Sequence, residues 1–177
     1  MNSKLSVLFA TLLTLLVAGA SFAAVPRQVV VPKKTTKFLR KGFVIGGETQ
    51  GLTSLLAWRR TAAKTGKLER WVFDFGDKQK RPLKERISYF HAEVQGARGR
   101  VTLTFPQMQT TEITPQYIAQ KVLGSPLVKS VDMTYDPEDV SMNLQIQFKR
   151  PVALRATELP PKGEKSSRLV LDFKALR

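Results

Sequence analysis

The 177 residues contain no cysteine and only one histidine, His91. Without a thiol there is no disulfide to hold the fold, no thiolate nucleophile and no cysteine to receive a lipid. A lone imidazole has no second histidine to complete a metal site, and no G-x-S-x-G turn occurs to raise a serine nucleophile. His91 itself stands in Tyr89-Phe90-His91, inside an expected strand, where it reads as a structural or exposed imidazole rather than a general base. Acidic residues are scarce too, 14 against 29 Lys and Arg, which leaves a formal charge of +15. Two carboxylates at the correct separation in space suffice to hydrolyse a glycan, but no pair in the sequence marks itself out for that work. The expectation is a non-catalytic protein with no metal and no cofactor.

Long apolar runs are also missing, with one exception at the start. Residues 5–17 are almost wholly apolar behind Lys4, and Ser21-Phe22-Ala23 fits the small-x-small rule for cleavage after Ala23. A permanent anchor is the competing reading, but it needs roughly 20 apolar residues, and this run is shorter. Residues 1–23 are therefore expected to be a cleaved signal peptide that leaves no transmembrane anchor. Cleavage removes a single charge, that of Lys4, so the exported remainder stays strongly basic. Such a protein attracts glycan-linked carboxylates, phosphate polymers, anionic lipid and nucleic acid, although net charge speaks to association and not to a site.

Residues 24–42 carry Lys33, Lys34, Lys37, Arg40 and Lys41 among valines and prolines with no acidic residue, and read as a basic, exposed N-terminal arm. An edge strand through Val29-Val30-Val31 is an alternative within it. Gly46-Gly47-Glu48-Thr49-Gln50-Gly51-Leu52-Thr53 superficially suggests a phosphate-binding loop, but Leu52 stands where that loop needs lysine, so a glycine-rich turn is expected. From residue 43 onward the chain reads as one β-sandwich domain. Strands are expected over 52–60, 70–75, 87–95, 100–107, 128–135, 140–149, 151–159 and 168–173, with a hairpin turn at Gly96-Ala97-Arg98-Gly99.

One α-helix interrupts them at 115–123. Thr114 is its N-cap, Pro115 its first residue, and Gly124 and Pro126 follow its last turn. Ile113 and Ile118 are spaced as a hydrophobic staple, and Ile118 with Val122 forms an apolar i, i+4 pair. Three carboxylates in Asp136-Pro137-Glu138-Asp139 could recruit calcium, but Asp followed by Pro is also ordinary type I turn chemistry, and the turn is preferred.

Two strands share a signature. Arg70-Trp71-Val72-Phe73-Asp74-Phe75 has a near copy in Arg168-Leu169-Val170-Leu171-Asp172-Phe173. In each, one face is apolar and the other carries Arg, Val and Asp, the pattern of a strand packed on one side and wet on the other. If the two pair antiparallel with Val72 opposite Val170, Arg70 faces Asp172 and Asp74 faces Arg168. The alternative is that the charges are unrelated sheet-surface residues.

The alternation Leu144-Gln145-Ile146-Gln147-Phe148, the strand opening Pro151-Val152, the turn Leu159-Pro160-Pro161 and the closing Arg168-to-Phe173 strand together resemble the AMIN domain, a small β-sandwich of exported bacterial envelope proteins. The resemblance runs over residues 131–173. It implies a periplasmic location and a role in binding peptidoglycan, or a partner in an envelope assembly, without catalysis. The residues expected to hold carboxylate or phosphate groups are Arg59, Arg60, Lys64, Lys67, Lys78, Lys80 and Arg81, with Trp58 either a stacking platform for a sugar ring or part of the core. The alternative function is electrostatic binding of lipid headgroups or nucleic acid through the basic arm, of which nucleic acid is the less favoured.

Overall fold

The computed structural model describes residues 37–48 and 51–176, which fall within one compact unit. The expected signal, most of the arm and the alternative strand at 29–31 lie outside the described residues.

Ten strands and one helix follow the chain: β1 (Lys41–Gly46), β2 (Thr53–Ala62), β3 (Leu68–Gly76), β4 (Phe90–Gln95), β5 (Arg100–Phe105), β6 (Met108–Thr111), α1 (Pro115–Val122), β7 (Val128–Asp136), β8 (Ser141–Phe148), β9 (Val152–Leu159) and β10 (Arg168–Ala175). They form two five-stranded sheets. The signature sheet has the order β6-β2-β3-β10-β9, and the opposite sheet the order β1-β4-β5-β8-β7. The mainly-β expectation with a single short helix holds. One pairing departs from antiparallel, since β6 runs parallel to β2.

Both sheets repeat one arrangement. A hairpin from the first half of the described residues, β2–β3 or β4–β5, lies beside a hairpin from the second half, β9–β10 or β7–β8, and the join is β3 with β10 or β5 with β8. The signature strands pair in the register drawn from their sequences: Val170 opposite Val72, Asp172 opposite Arg70, Arg168 opposite Asp74.

Alternation decides which faces meet. Trp71, Phe73 and Phe75 of β3 and Leu169, Leu171 and Phe173 of β10 are fully buried against Val101, Leu103 and Phe105 of β5 and Leu144 and Ile146 of β8. Aromatic rings run through this interior. Phe73 meets Phe105 at 5.7 Å and Phe148 meets Phe173 at 4.9 Å, contacts that join the two sheets. With no disulfide, burial of this surface is what opposes chain entropy.

Helix α1 forms as its sequence signals demand. Thr114 Oγ1 accepts from Tyr117 N at 3.1 Å, Ile113, Ile118 and Val122 are buried, and Gly124 takes φ +74° just beyond the end. The helix packs against β7 and reaches β2, where Arg60 donates to Lys121 O at 3.1 Å. Among the described residues no helix is long and apolar enough to cross a membrane.

Two strands were not expected, and both are short. β1 takes its first two residues from the stretch read as an arm; Leu39, just before it, already bridges Leu154. β6 has only four residues, too few for a period of two to show, and is tied to β2 by Thr110 Oγ1 donating to Ser54 Oγ. The glycines before β2 have a packing reason. Gly47 has φ +77°, and a Cβ there would stand 2.1 Å from Ser88 O. In the hairpin turn after β4, Gly99 takes φ +60°, whereas Gly96 does not need positive φ; a Cβ on it would meet Val152 O at 2.1 Å.

The acidic loop between β7 and β8 is a turn. Asp136 Oδ1 accepts from Glu138 N at 2.9 Å and Asp139 N at 3.2 Å. It ends on Val140 at φ +51°, a conformation that crowds a β-branched side chain against its own backbone. Asparagine tolerates this region, so Val140→Asn is expected to raise stability by about 1 kcal/mol, read as a higher midpoint in urea with an unchanged slope.

Candidate anion-binding face

Period-two alternation turns every second residue of the signature sheet away from the core. On β3 these are Arg70, Val72 and Asp74; on β10, Arg168, Val170, Asp172 and Lys174; on β9, Arg155 and Thr157; on β2, Arg59 and Thr61. Strand register then lines them up in rows across the sheet. One row reads Thr61, Arg70, Asp172, Arg155, and the next reads Arg59, Val72, Val170, Thr157.

The first row is a carboxylate held between two guanidinium groups. Arg70 donates from Nε to Asp172 Oδ1 at 2.7 Å and from Nη2 to Oδ2 at 3.1 Å. From the other side Arg155 donates to Oδ2, at 2.7 Å from Nη2 and 3.2 Å from Nε. The Asp172 side chain is only 2% exposed, while Arg70 and Arg155 are 51% and 32% exposed, so the anion lies under its cations. Burial pushes the Asp172 carboxyl up, but the hydrogen bonds and charges of Arg70 and Arg155 outweigh it and hold the group below its ordinary value. The hydrogen bond to Asp172 likewise raises Arg70.

Asp74 behaves in the opposite way. Burial is the largest influence and lifts its carboxyl above the usual range, although the charges of Arg59 and Arg168 and the hydrogen bond from Arg59, at 2.9 Å, pull it down. Arg168, directly across from Asp74, leaves its buried Nε without a hydrogen-bond partner. Of the two cross-strand pairs read from the signatures, Arg70 with Asp172 is a direct ion pair; Arg168 acts on Asp74 through its charge alone.

Counted together, this face carries Arg59, Arg70, Arg155, Arg168 and Lys174 against two carboxylates, Asp74 and Asp172, an excess of three positive charges. Phe38 lies at its β9 side, with Arg155 Cζ 4.8 Å and Lys174 Nζ 5.6 Å from the ring centroid. Val72 and Val170 sit between the arginine stems, which cover apolar surface while their heads stay wet. Flat guanidinium groups in a fixed row suit carboxylate or phosphate oxygens, which they can take in pairs.

The expected basic residues are scattered by the fold. Arg59 lies on this face. Arg60, next to it on β2, turns inward and donates from Nε to the fully buried Glu69 at 2.6 Å. Lys64 and Lys67 lie in the turn between β2 and β3, exposed and without a side-chain partner among the described residues. Lys78, Lys80 and Arg81 lie at the opposite end of β3, roughly 25 Å away at 3.3 Å per residue. There Lys80 pairs with Glu112 at 2.5 Å and Arg81 with Asp77 at 2.7 Å. Lys78 and Arg81 do line a cleft with Lys84, but Asp77, Glu85 and Glu164 line it as well, so its charge is mixed. The seven residues therefore do not form one surface.

Trp58 is corrected to a core residue. It is 2% exposed, with its ring edge-on to Trp71 at 4.9 Å, so no ring face is open to a sugar. His91 points outward from β4 beside Tyr89, at 6.2 Å between rings, away from the face just described.

Arg70 and Arg168 were legible as parts of the signatures, but Arg155 and Lys174 were not chosen. Alternation in β9 would have placed Arg155 outward. Its seat beside Asp172, however, depends on the β9–β10 register, which the eight-residue connection 160–167 leaves open in the sequence. No family model matches the chain, and no curated protein matches it.

Proposed function

We propose that the protein is a non-catalytic, exported binding module that docks an anionic polymer of the cell envelope, peptidoglycan first among them, on the outer face of the signature sheet. The observation that carries this reading is the Arg70-Asp172-Arg155 row, in which a buried carboxylate fixes two arginines side by side with their remaining donors toward solvent. The arrangement costs the ligand little ordering entropy, because the guanidinium groups are already positioned. The similarity of residues 131–173 to the AMIN domain points the same way; those residues supply β8, β9 and most of β7 and β10.

Sedimentation with insoluble peptidoglycan over a salt series tests the reading. Binding is expected to survive moderate salt and to fall several-fold in Arg59→Glu and Lys174→Glu, both exposed on the face. Arg100→Glu and Lys129→Glu, exposed on β5 and β7 of the opposite sheet, serve as controls that leave it unchanged. Equal losses in both sets, or binding that collapses steeply with salt, would instead favour diffuse electrostatic association with lipid or nucleic acid. Release of soluble glycan fragments in the same samples would contradict the non-catalytic part.

A further inference from the structure

The loops at one end of the sandwich are basic throughout. They are the turns 63–67, 96–99 and 149–151, the segment 121–127 that leads from α1 to β7, and residues 175–176, and none holds an acidic residue. Backbone contacts tie them together. Ala175 N donates to Lys67 O, Leu176 N to Pro151 O and Lys149 N to Leu127 O, each at 2.9 Å. A Cβ on Gly66 would stand 3.1 Å from Pro126 Cβ, and one on Gly99 3.0 Å from Arg150 O, so the β2–β3 and β4–β5 turns flank the same surface.

Six exposed cations stand on it: Lys64, Lys67, Arg98, Lys121, Lys149 and Arg150. None meets a carboxylate among the described residues, and the Lys149 and Arg150 heads donate only to backbone, at Ser125 O and Pro126 O. The other end differs. Its segments 77–89, 136–140 and 160–167 hold Asp77, Glu85, Asp136, Glu138, Asp139 and Glu164 beside their lysines and arginines. Charge is thus separated along the strands, and an attracted anionic surface meets the positive end first.

One apolar side chain stands clear of this end. Leu123, at the close of α1, is 77% exposed, more than any other large hydrophobic residue described, and a Cβ on the following Gly124 would meet nothing within 4 Å. Lys121 belongs to the same segment, and Lys64 and Lys67 flank the glycine that approaches Pro126 three residues beyond the leucine. Single exposed leucines are ordinary; what distinguishes Leu123 is its setting among unpaired cations. A phosphate polymer or a glycan strand would pair with those cations and leave the leucine in water. A bilayer offers headgroup phosphates to the cations and, beneath them, an acyl boundary to the leucine. We propose that this end of the sandwich docks on an anionic lipid surface, with the six cations at the headgroup phosphates and Leu123 entering the interface. The site uses no residue of the Arg70-Asp172-Arg155 row, so this contact and the peptidoglycan reading can fail separately.

The test is flotation of the protein from Ala24 onward with vesicles of equal parts phosphatidylglycerol and phosphatidylcholine, beside vesicles of phosphatidylcholine alone. The parent is expected to float with the anionic vesicles only. Lys64→Ala and Lys121→Ala, both exposed, should each weaken binding about fivefold, the share of one basic residue near a charged surface. Lys78→Ala and Lys162→Ala, exposed at the other end, should leave it unchanged. Leu123→Ser should also weaken it by about fivefold or more. Because the chain lacks cysteine, Leu123→Cys can carry a polarity-sensitive dye, whose emission should shift to the blue on anionic vesicles while the same dye at Glu138→Cys does not. The proposal is overturned if the parent does not float with anionic vesicles, if Lys64→Ala and Lys121→Ala cost no more than Lys78→Ala and Lys162→Ala, or if the dye at residue 123 stays in water. Loss that follows the lysines while Leu123→Ser binds like the parent would assign the end to a phosphate polymer and equally overturn it.

Discussion

Glu69→Ala is expected to cost about 3 to 5 kcal/mol, the loss typical when one partner of a buried ion pair is removed. Glu69 lies on the apolar side of β3 beside Trp71 and is fully buried. Its Oε1 accepts from Arg60 Nε at 2.6 Å and from Trp71 Nε1 at 2.8 Å, and its Oε2 accepts from Ser125 Oγ at 2.6 Å. Ser125 in turn accepts from Leu127 N and Val128 N, so the carboxylate ties β3 to the segment that follows α1. Alanine would strand the Arg60 guanidinium, which is only 17% exposed, and leave the Trp71 indole N–H and the Ser125 hydroxyl without an acceptor. For a domain of this size the melting midpoint should fall on the order of 10 °C. Glu69→Gln keeps the shape and one acceptor oxygen but discards the charge that Arg60 faces, and should fall between. A melting point within two or three degrees of the parent in the alanine variant would mean that Arg60 finds water, and that the node contributes little.

Asp172→Asn is the second large effect, about 2 to 3 kcal/mol at neutral pH, the scale of hydrogen bonds to charged groups. The loss is smaller than for Glu69 because Arg70 and Arg155 are partly exposed and water can take up their freed donors. The sign with pH follows from the depressed carboxyl. Because Asp172 binds its proton less readily folded than unfolded, its stabilisation is complete above the unfolded value near 3.9 and is lost as pH falls through the lower folded value. The parent and Asp172→Asn should therefore differ most at neutral pH and converge in strong acid. Asp74 acts in reverse: its raised carboxyl favours the fold below the unfolded value, and that share is lost as pH rises through the folded one. Asp74→Asn should then make stability climb more steeply with pH in the acid range. Denaturant unfolding at several pH values checks both signs, and a double-mutant cycle of Arg70→Ala with Asp172→Ala isolates the pair. Additive losses in that cycle would show that the row is held by the sheet and not by the charges.

The sequence made the framework legible because long alternating strands and helix caps are local signals. Thr114, Pro115 and Gly124 fix α1 whatever it packs against, and the two Arg-Val-Asp signatures contained enough side-chain order to give the correct register. β6, with only four residues, and β1, which starts inside the stretch read as a basic arm and carries two glycines, left no such trace. Basic residues were harder still. Arg59 and Arg60 are neighbours in sequence, but one faces solvent and the other clamps Glu69, because adjacent strand residues point to opposite sides. No local pattern in the sequence marks Glu69 for burial, and only the inward Arg60, Trp71 and Ser125 around it account for it. Nearness along the chain grouped Lys64 with Arg81, whereas the length of β3 holds them apart. Arg155 reached Asp172 through a pairing that no local pattern encodes.

The hairpin arrangement bears on how the chain acquires its fold. Arg70 and Asp172 are 102 residues apart, yet β3 and β10 are neighbours at the heart of one sheet, and β9 joins that sheet through β10. Until residues 168–175 have been made, β2 and β3 have only the four-residue β6 as a sheet neighbour, and Trp71, Phe73 and Phe75 have no finished interior to enter. The opposite sheet closes over a shorter loop, β5 onto β8, and so can assemble earlier. Nascent chains should therefore pass through a half-built intermediate with an aromatic surface open to water, slow to mature and receptive to a holding chaperone.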